Sequence, residues 1–106
     1  MYNKELALQL LKARMDRAGL DVPPDLLSYW ENRLEDAQKK LSDKGVVYDD
    51  EEKSIQDNSL IADYTAWMIK NRDESGAMPK WLRLEIRERF LKGAVKNVLR
   101  HSSNSA

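Results

Sequence analysis

The stretch Asp63-Tyr64-Thr65-Ala66-Trp67, followed by Asn71-Arg72-Asp73-Glu74-Ser75-Gly76-Ala77-Met78-Pro79 and Leu82, decides how this chain is read. It joins an aromatic helix end to a charged, glycine-containing turn and then to a proline that can open another helix, since proline suits the first helical positions. Nothing in it resembles a reaction centre. A helix–turn–helix joint of this kind makes the fold helical and points to a surface built for assembly.

Working outward, the same helical spacing recurs on both sides of the joint. Upstream, Leu60, Ile61, Tyr64, Trp67 and Met68 lie on one face of a helix predicted over 58–72, with Asp57 or Asn58 as its cap. Downstream, a helix over 79–100 carries Leu82, Ile86, Phe90, Leu91, Ala94, Val95 and Val98. At about 100° per residue these apolar side chains cover more than half its circumference, with Arg83 and Arg87 inside the arc. A lone small domain seldom needs so broad a face, which suggests that part of it covers a second molecule. Trp81 lies off the main arc and is a candidate exposed or interface aromatic, whereas Trp30 and Trp67 read as core.

Nearer the start, Ala7, Leu8, Leu11, Met15 and Ala18 share one face of a helix over 4–18, capped by Asn3 and ended by Gly19. Pro23-Pro24 opens a second helix over 24–42, with Leu26, Leu27, Trp30, Leu34, Ala37 and Leu41 on one face and a stop near Gly45. Its acids come early and its lysines late, as the helix dipole favours. Residues 43–57 form a charged loop in which Val46-Val47-Tyr48 gives an apolar, strand-like start before Asp49-Asp50-Glu51-Glu52. The expected architecture is therefore all-α, a bundle of four helices. It forms a single domain over residues 1–101, with 102–106 as a flexible, disordered tail.

A chain of 106 residues fits one domain and buries roughly 60 to 70% of its unfolded surface, so a modest core is expected and a deep cofactor cleft is not. Its 18 basic and 18 acidic side chains cancel, which argues against a nucleic-acid glove or an acidic tail. The balance hides a gradient. Residues 43–57 hold six acids and two lysines, and residues 78–101 hold seven Lys or Arg and two Glu. With no cysteine there is no disulfide or thiolate site, which fits a reducing compartment, and no signal peptide or membrane span is read.

The chemistry-bearing residues are few. His101 is the sole histidine, the four glycines form no phosphate loop, and the acids at 49–52 lack the spacing of a calcium loop. No catalytic, cofactor or metal site is expected, and the chain does not read as an enzyme. The basic run Lys80, Arg83, Arg87, Arg89, Lys92, Lys96 and Arg100 could follow a phosphate backbone. Glu85 and Glu88 interrupt it, and Glu85 is placed to pair with Arg89. A small DNA-binding or regulatory helical protein is therefore the alternative reading. The candidate interface residues are Asp49, Asp50, Glu51, Glu52, Trp81, Arg83, Arg87, Lys92, Lys96 and Arg100, with the acidic loop meeting Arg83 and Arg87 of an adjacent copy.

The region from about Asn58 to Lys92 resembles the small helical head–tail connector, or adaptor, proteins of long-tailed double-stranded DNA bacteriophages and prophages. The resemblance lies in Asp63-Tyr64-x-x-Trp67, in Arg72-Asp73-x-x-Gly76-x-Met78-Pro79 and in Leu82-x-x-x-Ile86, about a third of the chain. The two upstream helices are similar in layout only. The resemblance implies a structural virion protein, made in the host bacterial cytoplasm, that forms an oligomeric ring below the portal and links capsid to tail. Implied partners are other copies of the chain, the portal protein and tail-side connector proteins. DNA passes through the ring without sequence-specific binding, no membrane is involved, and the free protein can remain monomeric until a portal is present. Ala94 to Leu99 is more apolar and less basic than the family pattern, and the tail is longer.

Overall fold

The computed structural model describes residues 1–71 and 77–104, with side-chain surroundings as far as Val95. It contains α1 (Lys4–Arg14), α2 (Pro24–Asp43), α3 (Ile55–Lys70) and α4 (Lys80–Asn104), and no strand among the described residues. The all-α, four-helix expectation holds. Arg72, Asp73 and Gly76 of the joint lie outside the described residues, as does the end of the expected tail.

α3 is the central helix. Leu60, Ile61, Ala62, Tyr64, Thr65, Ala66 and Met68 are all buried, because α1 and α2 pack against it and against each other. Ala7 and Leu11 fill the groove from α1; Trp30, Leu34, Ala37 and Leu41 fill it from α2. Packed on two sides, α3 buries most of its middle, the polar Thr65 included. The helical faces read for α1 and α2 are therefore the faces that form the core.

The ends show where local chemistry overrode periodicity. α1 stops at Arg14 rather than at residue 18, because Asp16 takes the left-handed conformation (φ 58°). Its N–H donates to the Ala13 carbonyl, and that of Arg17 donates to the Lys12 carbonyl at 2.7 Å. This double closure satisfies the last carbonyls, and aspartate tolerates the left-handed region better than most side chains. Gly45 (φ 93°) closes α2 in the same way, with Val46 N–H donating to the Leu41 carbonyl and both side chains buried. α3 begins three residues earlier than expected. Ser54 is its cap, its Oγ accepting from Asp57 N–H at 3.2 Å, which places Asp57 and Asn58 inside the first turn. Asn3 caps α1 as expected, accepting from Leu6 N–H at 3.0 Å.

α4 packs chiefly on α3 and makes few inward contacts. Leu82 is fully buried and Ile86 is packed against the core. One and two turns further on, Arg89 and Gly93 also face inward. A Cβ on Gly93 would lie 2.8 Å from Val47 Cγ2, so the missing side chain lets α4 approach the loop after α2.

Candidate assembly surface

The two faces of α4 divide its apolar residues between the core and solvent. Leu82, Ile86, Arg89 and Gly93 recur at offsets of four, seven and eleven and form the inner face. Leu84, Leu91 and Val95 lie on a face roughly 150–180° away at 100° per residue, with Trp81 on its flank, about 110° from the inner face. All four are more than half exposed, Trp81 at 56% and Val95 at 59%. Phe90 is also exposed, lying over Gly45 at the edge between the faces. The broad apolar arc is thus split: its first part is covered by α3, and the rest is open.

Arg83 and Arg87 are exposed along one side of this open stripe. Lys92 is exposed on α4 as well, with Nζ 3.9 Å from Glu88. Lys96 and Arg100 lie outside the residues whose side chains are described. On the loop before α3, Asp49, Asp50, Glu51 and Glu52 are all exposed and flanked by exposed Val47 and Ile55. Among the described residues no ion pair joins these acids to Arg83 or Arg87. One copy therefore carries an apolar-basic strip and a separate apolar-acidic strip.

Sequence reasoning missed the polar centre that fixes α4. Asp57 is wholly buried, and its carboxylate accepts from the Arg89 guanidinium, from the Met1 amino nitrogen at 2.7 Å and from Asp49 N–H at 2.8 Å. Arg89 also donates to the Val47 carbonyl at 3.3 Å. Arg89 therefore turns inward to Asp57 rather than pairing with Glu85 as expected, and one cation leaves the basic run. Beside it Asn58 receives Asn3 N–H at 2.8 Å and donates to the carbonyls of Met1 and Ser54. A buried carboxylate with this many donors is compensated for its lost hydration. The available signal was the register of Arg89, which shares a helical face with Leu82 and Ile86.

The Asp63–Trp67 motif serves the joint. Arg14 of α1 pairs with Asp63 and donates to Ser59 Oγ and the Leu10 carbonyl, each at 3.0 Å. Tyr64 is buried and Trp67 half-buried, their ring centroids 5.8 Å apart. Met78 and Pro79 are half-buried at the entry to α4, and Leu82 anchors its first turn. Glu85 lies near this cluster; partial burial, then the Asp63 charge, raise its pKa. Tyr48 sits under the acidic loop, donating to the Gln38 carbonyl at 2.9 Å, and burial pushes its hydroxyl well above the usual range.

No helix among the described residues is long and apolar enough to cross a membrane, and no described group of acids or histidines could hold a metal ion. The chain matches no family model, no curated protein and no solved structure.

Proposed function

We propose that this chain is a structural assembly subunit, and specifically a head–tail connector that forms a ring below the portal of a bacteriophage or prophage particle. The observation that carries the reading is the outer side of α4, where Trp81 and Leu84, and then Leu91 and Val95, are exposed on either side of Glu88. Four large apolar side chains more than half exposed on one side of a single helix point to an interaction surface. Its occupant in this reading is the next copy. Arg83 and Arg87 beside the stripe complement Asp49 to Glu52 beside Val47 and Ile55, and two different strips meeting head to tail generate a ring when the rotation closes. The connector resemblance adds the portal and tail-side proteins as further partners and gives the channel DNA no sequence-specific role. The subunit works by shape, without catalysis. Placement in the virion, after synthesis in the bacterial cytoplasm, belongs to the same proposal.

The DNA-binding alternative is weaker because Arg89 is held inside by Asp57 and exposed Glu88 interrupts the basic face. Sedimentation velocity over a concentration series separates the two. The connector reading expects association that Leu84→Glu with Leu91→Glu abolishes and that Arg87→Glu weakens. A chain that stays monomeric, alone and with a portal, yet binds duplex DNA with a steep salt dependence overturns it.

A further inference from the structure

Where the end of α3 meets the first turn of α4 there is an open cleft of about 330 Å3, lined by Ala66, Trp67, Lys70, Pro79 and Trp81 and closed at one end by the Arg14–Asp63 pair. Trp81, on the wall, is 56% exposed. The cleft thus offers two indole walls and a proline ring, which suits an extended segment with an apolar anchor.

The chain itself displays such a segment. Leu20 is 55% exposed, in the connection between α1 and α2. Pro23, with φ −53° and ψ 142°, is in the polyproline conformation, and Pro23 and Pro24 are both exposed. Val22 packs on its own core and anchors the segment, so Leu20 stands out from a fixed base. Asp21 and Asp25 are exposed along it, and Lys70 and Lys80 are exposed at the cleft and beside it, so the charges are complementary.

We infer that the Trp67–Trp81 cleft receives the Leu20–Pro24 segment of a second copy, with Leu20 between the indoles and Asp21 and Asp25 facing Lys70 and Lys80. The contact rests on the assembly reading and gives the ring a second, aromatic contact that shares only Trp81 with the outer face of α4.

The absence of cysteine makes disulfide trapping clean. Equal amounts of full-length Leu20→Cys and Lys70→Cys chains are mixed under mild oxidation and heterodimer formation is timed. Leu20→Cys with Lys44→Cys, a partner exposed at the end of α2, is the control. The cleft contact predicts heterodimers forming at least about tenfold faster than in the control, from the raised effective concentration, and loss of that excess when the Lys70→Cys chain also carries Trp81→Ala. Equal rates for the two pairs, or an excess that survives Trp81→Ala, overturn it. If trapping fails while association still depends on Leu84 and Leu91, the cleft contact falls and the assembly reading stands. A chain that never associates, with or without a portal, removes both.

Discussion

α3 and α4 are both amphipathic by sequence, yet the structure uses them in opposite ways. α3 buries nearly its whole middle, from Leu60 to Met68, while α4 buries Leu82, Arg89 and Gly93 and leaves Trp81, Leu84, Leu91 and Val95 open. A helix flanked by two others has its apolar surface completed within the chain. A helix docked along one narrow line does not, and its remaining apolar surface is available to a neighbour. Buried apolar surface thus concentrates at α3, and exposed apolar surface concentrates at α4.

Shortening one side chain on each helix tests this division most severely. Leu60→Ala should cost about 4 kcal/mol, toward the upper range for a leucine with no exposed surface. Leu84→Ala should stay within about 0.5 kcal/mol of the parent chain, both measured by urea unfolding of dilute protein. Comparable losses would mean that α4 is as much core as α3.

The polar latch between the two helices should give the next largest effect. Arg89→Met strands Asp57 inside and should cost about 3 kcal/mol. The low end of the range is expected because the Met1 nitrogen and Asp49 N–H still face the carboxylate. Hydrogen exchange in the first half of α4 should rise in this variant while that of α2 follows only the global loss. Unchanged protection in α4 would show that Leu82 and Ile86 suffice to dock it.

The smallest effect is a pH dependence at Glu85. Its folded pKa is raised, chiefly by burial and then by Asp63, so folding favours the protonated carboxyl. That contribution is present below the unfolded pKa and is lost as pH rises through the folded one. Glu85→Gln should therefore raise Tm at pH 7, and the gain should vanish below about pH 4, near the ordinary glutamate value. A gain independent of pH would point to helix propensity instead.

Much of this architecture was legible from residue spacing. Asn3 as a cap, Pro24 at a helix start and Gly45 at a helix end each act within a few residues of themselves, so local chemistry suffices to read them. The early end of α1 and the early start of α3 were missed because Asp16 stood in for a glycine and Ser54 competed with Asp57 as a cap. Of the candidate interface residues, Trp81, Arg83, Arg87, Lys92 and the acidic residues 49–52 are exposed. The inward turn of Arg89 does not agree with the pairing expected from i,i+4 spacing.

The sequence by itself determined the helices, their apolar faces and the segregation of acids from bases, because helical period and side-chain chemistry are properties of short stretches. Only the tertiary structure decided which part of the α4 arc is covered and where Asp57 lies. Those outcomes depend on contacts such as Asp57 with Arg89, 32 residues apart, and Val47 with Gly93. Periodicity marks a face as apolar without saying whether its cover comes from the same chain.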